Sequence, residues 1–214
     1  FIVETGLGGR FDATRILPAD LCLLTSIQLE HRDILGNTLA EIAAEKAAIA
    51  RPGKPLFVQE VQDTEARSAI EYEAHHAGQE HLGEIASPAN LEWITIDSDS
   101  SMKEEALALV KVTLNHLNYK IDLIEESMHS LNWPGRMQHI EPMSWGGSLF
   151  VDAAHNPSGL KRVIPTLFEI LSSQKEWTLI FGCTPQDDSE AFAQPLLDLC
   201  KKHPPSHVLL TVPQ

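Results

Sequence analysis

Apolar positions along the chain follow two periodicities in alternation. Residues 20–27 and 55–58 are apolar at consecutive positions, most clearly in Leu21-Cys22-Leu23-Leu24, as in strands covered on both faces. Between and after them, residues 38–50 and 63–76 space their apolar side chains three and four apart, which predicts helices, and Pro52-Gly53 closes the first. Residues 1–4 read as a further strand, 91–96 as another, and 103–117 as a helix with Glu104 and Glu105 in its first turn, where carboxylates favour the dipole. The rhythm breaks at residues 131–136 and then resumes, with strands at 148–152, 177–181 and 207–212 and helices at 157–171 and 189–201. Asn156 and Pro157 suit the cap and first turn of their helix, while Pro165 and Pro195 are expected to kink or delay the helices that contain them. Strand–helix alternation of this kind predicts an α/β fold on parallel sheets, divided at the break into residues 1–131 and 132–214.

Charge and composition narrow the partners. The 214 residues carry a formal charge of −14, which argues against a nucleic-acid backbone or an anionic membrane surface but leaves room for a small anionic ligand held by local cations. The three cysteines, Cys22, Cys183 and Cys200, form no C-x-x-C pair, so neither a disulfide framework nor a cysteine zinc site is expected and a reducing cytoplasm fits best. Neither a membrane span nor a signal peptide is expected, because no run approaches about 18 apolar residues and no charged-then-apolar leader precedes the first strand. The chain opens inside an expected strand without an initiator Met and stops just after another, so it is expected to be a fragment of a longer protein.

Four segments carry residue types suited to chemistry. Gly6, Gly8 and Gly9 follow Glu4, which is expected at the carboxyl end of a parallel strand, where open α/β sheets place ligands. Phe11 stands where a dinucleotide fingerprint would want a third glycine, so the cluster reads either as a tight connection or as a ligand loop. His31, just past strand 20–27, would face Glu4 across the same edge, and a carboxylate with an imidazole could hold a divalent metal such as Mg²⁺. Lys46 falls on the apolar stripe of helix 38–50 with Leu39, Ile42, Ala43, Ile49 and Ala50, whereas Glu41 and Glu45 point the other way. A lysine placed there is paired, snorkelling or chemically recruited. The fourth segment joins Arg136, after a Pro-Gly turn, to Asp152 and His155 at a strand end beside a helix N-terminus, a setting that suits a phosphoryl group.

Together these strings resemble the folylpolyglutamate synthase and dihydrofolate synthase family of the Mur ligase superfamily. The resemblance rests on V-E-T-G-L-G-G-R-F-D-A-T (3–14), T-S-I-Q-L-E-H (25–31), A-E-K-A-A-I-A-R-P-G (44–53), W-P-G-R (133–136) and D-A-A-H-N-P (152–157), in family order. It implies that residues 1–131 are the later part of the central ATPase-like ligase domain, and that 132–214 are most of a smaller Rossmann-like α/β domain. It also implies an ATP-dependent ligase that adds L-glutamate to tetrahydrofolate or dihydropteroate through an acyl phosphate, as a cytoplasmic and commonly monomeric enzyme without nucleic-acid or membrane partners. Residue by residue, Glu4 and His31 resemble the family's Mg²⁺ ligands and Lys46 its carbamylated lysine. Arg136, Asp152 and His155 resemble the residues that close over ATP, and Arg10 and Arg136 would help meet the anionic substrates. The family's T-N-G-K-G-S phosphate loop is absent from these 214 residues, so the fragment alone is expected to be inactive. Arg15 stands where the family usually has Asn, and Ser-Ser-Met-Lys-Glu (100–104) aligns with its H-Q-x-x-N adenine motif, with Glu104 in place of the asparagine. Two other readings are a different amino-acid ligase of the superfamily and a binding protein that kept the fold without the catalysis.

Overall fold

The computed structural model describes residues 1–77, 87–97, 100–120, 124–140, 144, 146–183 and 189–211. They form two compact units, Phe1–Met128 and His129–Gln214; the break in the hydrophobic rhythm had suggested a division three residues later.

The first unit is built on three parallel strands, β1 (Cys22–Leu24), β2 (Pro55–Gln59) and β3 (Asn90–Ile94), in that order across the sheet. Between them run α1 (Arg32–Leu35), α2 (Leu39–Ala47) and α3 (Thr64–His75), and α4 (Met102–His116) follows; α5 (Ile124–Ser130) runs past Met128, the last residue of this unit. β2 shows why a central strand reads as an unbroken apolar run. Leu56 and Val58 face one core with Ala43, Ala47, Ala66, Ile70 and Ala74, while Phe57 faces the other with Ile94 and Leu109. The alanines of α2 and α3 let both helices lie close to the sheet. Local signals set their starts: Thr38 Oγ1 accepts from Glu41 N at 3.2 Å while Glu41 Oε2 accepts from Thr38 N at 3.1 Å, and Asp63 Oδ1 accepts from Ala66 N at 2.8 Å. The Asn37 amide, which donates to Glu41 Oε2 at 2.6 Å, and that of Thr38 hold the Glu41 carboxyl below its ordinary range.

The expected strand at residues 1–4 is not formed; the segment is irregular, with Phe1, Ile2, Val3 and Glu4 exposed. Strand geometry needs a ladder partner, and no described strand pairs with this segment. Glu4 therefore does not stand at the end of a sheet strand, as its position had suggested. The helix expected over 38–50 ends at Ala47, where the tighter bonds Ile49 N to Lys46 O (3.3 Å) and Ala50 N to Ala47 O (2.9 Å) take over.

In the second unit β4 (Gln138–Ile140) and β5 (Leu149–Val151) pair antiparallel. Then α6 (Pro157–Ser172), β6 (Thr178–Gly182), α7 (Ser189–Lys202) and β7 (His207–Thr211) form a βαβ unit on α6, with β6 and β7 parallel. Leu171, Leu196 and Leu199 join the helices to Trp177, Leu179 and Phe181 of the strand side. β4 was not anticipated, and it turns β5 into half of a hairpin rather than the first strand of a parallel series. Both helices run through Pro165 and Pro195, and the end of the last expected strand, Val212, lies outside the described residues. Among the described residues no helix is long and apolar enough to cross a membrane.

Candidate functional site

The glycine cluster is first of all a packing device. Gly8 has φ +63°, and a methyl group on Gly9 would lie 2.7 Å from Lys46 O and Ile49 Cγ2 and 2.8 Å from Glu45 O, so only bare backbone fits against the end of α2. Asp12 closes the loop from the other side. It accepts from Gly6 N (2.8 Å), Leu7 N (3.3 Å) and Thr14 N (2.8 Å), capping the short 3₁₀ turn Ala13–Ile16.

Hydrogen bonds from the Thr14 hydroxyl and amide, with help from the Leu7 and Gly6 amides, pull the Asp12 carboxyl from 3.8 to about 2. Because the folded value is the lower one, the carboxylate's contribution to loop stability is complete above about 4 and is lost as pH falls through about 2. The Gly6 and Thr14 amide resonances are expected to titrate with a midpoint near 2, and Asp12→Asn to abolish that transition. A midpoint near the ordinary value would contradict it.

Arg10, one residue past the glycines, does not face outward to meet an anion as anticipated. Its Nε donates to Glu45 Oε1 at 2.9 Å and its Nη2 to Glu73 Oε1 at 2.6 Å, and its side chain is only 14% exposed. Burial disfavours its charge, but the hydrogen bonds to Glu73 and Glu45 outweigh that and raise its pKa further. Glu45, assigned by periodicity to the polar face, is drawn into this clamp by a partner 35 residues away, beyond the reach of any pattern within one helix.

Lys46 stands on the half-buried side of α2 and is paired. Its Nζ lies 3.3 Å from Glu30 Oε1, with the two side chains 22% and 27% exposed. Glu30, which sequence reasoning also passed over, directly precedes His31, so α2 and the loop after β1 do converge. His31 adopts the left-handed conformation (φ 51°, ψ 41°) at the head of α1, its carbonyl accepts from Ile34 N and Leu35 N, and its imidazole is exposed. Glu4 is exposed on its irregular segment. Among the described residues no hydrogen bond or ion pair joins Glu4 to His31 or Lys46, and no three His, Cys, Asp or Glu side chains gather as a metal site. An open cleft of about 240 Å³ lies past the carboxyl ends of β1 and β2, between Ser26, Ile27, Leu39, Val61 and Ala66, and Glu30, His31 and Lys46 are not among the residues that line it.

In the second unit the two predicted strings meet. The turn at Trp133–Arg136 closes through Arg136 N to Trp133 O (3.1 Å), and Gly135, at φ +69°, offers its carbonyl to Ala153 N at 2.8 Å. Asp152 staples the two loops, its Oδ2 accepting from Met137 N and its Oδ1 from Ala154 N, both at 2.8 Å. Asn156 caps α6 by accepting from Gly159 N at 2.6 Å. His155 is exposed with Nδ1 3.1 Å from Ala153 O, a carbonyl that only the Nδ1-protonated ring can donate to. The Arg136 guanidinium is exposed and has no partner among the described residues. Asp152 is thus inward and Arg136 and His155 outward. Asp152→Ala is expected to lower the stability of this unit by about 2 kcal/mol, the cost of removing a charged acceptor from two backbone donors, and Arg136→Ala by less than about 0.5 kcal/mol. Urea unfolding of the two variants checks the contrast; equal effects would contradict it.

Glu104 has a local explanation. Its Oε2 accepts from Ser101 N at 2.7 Å while Ser101 Oγ accepts from Glu104 N at 3.3 Å, a capping box that starts α4 and holds the Glu104 carboxyl below its usual range. The Ser-x-x-Glu spacing before an apolar run was the available signal.

No family model matches the chain. It is 31% identical over 192 residues to the dihydrofolate synthase/folylpolyglutamate synthase of Bacillus subtilis, a match covering 78% of this chain and 44% of that protein. It therefore spans rather less than half the length of that relative. A folylpolyglutamate synthase from Thermotoga maritima shares its fold, with TM-score 0.68 and 18% identity over 98% of this chain and 57% of that one. The Escherichia coli FolC structure in complex with DHPP and ADP aligns with TM-score 0.62 and 21% identity, over 98% of this chain and 62% of that one.

Proposed function

We propose that this chain, which belongs to the dihydrofolate synthase/folylpolyglutamate synthase family, is the part of an ATP-dependent ligase that joins L-glutamate to a folate or to dihydropteroate. The observation that carries the proposal is the match to the Bacillus subtilis protein, whose name states both activities, across most of this chain. In that reaction a substrate carboxylate oxygen attacks the γ-phosphorus of ATP and the bond to ADP breaks. The amino group of glutamate then attacks the acyl carbon, loses a proton, and inorganic phosphate leaves.

Such chemistry depends on positioning and on neutralising phosphate charge. The exposed guanidinium of Arg136 is a permanent cation suited to phosphate oxygens, on a turn that the Gly135 carbonyl ties to Ala153, three residues before the Asn156 cap of α6. Asp152 acts by holding both loops in place. Glu4 and His31 are both exposed and no described contact joins them; around Mg²⁺ they would supply one carboxylate and one imidazole, with waters and phosphate oxygens as the remaining ligands. Bound there, Mg²⁺ would neutralise charge on the transferred phosphoryl group. Lys46 as a carbamate would present an anion on the same side of α2 as Glu30. We place the protein in the cytoplasm, a reducing setting that the three free cysteines of this chain suit, and as a monomer.

The 214 residues contain no glycine-lysine-serine phosphate loop and are expected to release no ADP by themselves. The test is a chimera in which this chain replaces the segment it matches in the Bacillus subtilis enzyme. Glutamate-dependent phosphate release with dihydropteroate and with tetrahydrofolate separates the two activities. A folded chimera that releases phosphate with neither would overturn the proposal.

A further inference from the structure

The last turn of α2 is held from outside its own helix. Arg10, from a loop 35 residues earlier in the chain, gives its backbone N–H to Glu45 O at 3.0 Å, satisfying a carbonyl that the ending helix leaves open. Its guanidinium then spans two helices, binding the Glu45 carboxylate on α2 and the Glu73 carboxylate on α3. The bare backbone of Gly9 rests on the carbonyls of Glu45 and Lys46. Three pieces, the 6–12 loop, α2 and α3, therefore meet at one cation, and the next residue along that turn is Lys46.

We propose that Arg10 is a positioning residue for Lys46: it fixes the final turn of α2, and the direction in which that turn presents the lysine, against the loop that follows Glu4. The functional weight of this rests on the ligase reading of Lys46 and Glu4, whereas the clamp itself does not. The planar fork of arginine reaches both carboxylates at once, which the single ammonium of a lysine does with less directional control. A residue that only added general stability would slow opening everywhere in the unit. A positioning residue acts at the turn it holds.

Amide hydrogen exchange and amine acylation, read residue by residue on the 214-residue chain, separate these. Arg10→Met is expected to speed exchange at residues 6–12 and 45–50 by about tenfold or more while the amides of β2 keep their wild-type rates. Acylation of Lys46 is expected to rise by a similar factor relative to Lys54, which already lies at the surface. Arg10→Lys should fall between wild type and Arg10→Met. The triple variant Arg10→Met, Glu45→Gln, Glu73→Gln leaves no stranded carboxylates and should still show the fast turn. Unchanged exchange, an equal rise in β2, or slow exchange restored in the triple variant would each overturn the proposal. Neither ATP, folate nor metal is added, so failure of the ligase reading would show as an inactive chimera and not in these rates.

Discussion

Replacing Lys46 by alanine in the chimera is expected to lower glutamate-dependent phosphate release by about 10²–10³-fold, with acetate or formate restoring part of it. The argument starts from where the lysine stands. Its ammonium is paired with Glu30 at 3.3 Å on the half-buried side of α2, so an ordinary ion pair already accounts for its place in the fold. A carbamate at that nitrogen would turn an attractive contact into two facing anions, an arrangement that needs a cation near by. The two roles separate on one further variant. Lys46→Arg keeps a cation for Glu30 and cannot form the carbamate, so it should be as inactive as the alanine variant and insensitive to added carboxylates. Full activity in Lys46→Arg would reduce Lys46 to its ion pair.

Gly9→Ala is the second large effect. The new methyl group would sit 2.7 Å from Ile49 Cγ2 and from Lys46 O and 2.8 Å from Glu45 O, and two of these are backbone atoms at the end of a helix that cannot turn aside. The loop must lift or the last turn of α2 must shift, at a cost of about 2–3 kcal/mol to the first unit. Gly53→Ala is the control. Its methyl would meet nothing within 4 Å, and only the left-handed backbone at φ +66° would resist it, at about 1 kcal/mol. Urea unfolding followed by amide exchange in β2 ranks the two, and an equal or reversed order would contradict this account of the glycine cluster.

The strands and helices of the first unit were legible where local signals and burial agree. β2 is apolar at consecutive positions because cores lie on both of its faces, and α3 starts at Asp63 because that side chain caps it. What was not legible depends on partners far along the chain. Residues 1–4 have strand-like composition but no described strand to pair with, and β4 exists only because Gln138, His139 and Ile140 find Val151, Phe150 and Leu149. The site divides the same way. Periodicity singled out Lys46 as anomalous, yet its partner Glu30 comes from the loop after β1, 16 residues earlier. The clamp of Arg10 on Glu73 spans 63 residues, and no periodicity within one helix could reveal it. The meeting of the Arg136 turn with the loop of Asp152 and His155 follows from the antiparallel pairing of β4 and β5, which brings the two strings to one end. The roles assigned to these residues came from resemblance, since neither spacing nor burial distinguishes a phosphate-facing arginine from any other exposed one.

The central claim is tested most directly by the product. The chimera is incubated with ATP, Mg²⁺, L-glutamate and tetrahydrofolate, and the folate pool is examined by mass spectrometry. The account predicts a folate heavier by one glutamyl residue, formed in step with ADP and absent when glutamate is withheld. A folded chimera that consumes ATP without lengthening the folate, or leaves both substrates unchanged with tetrahydrofolate and dihydropteroate alike, would contradict it.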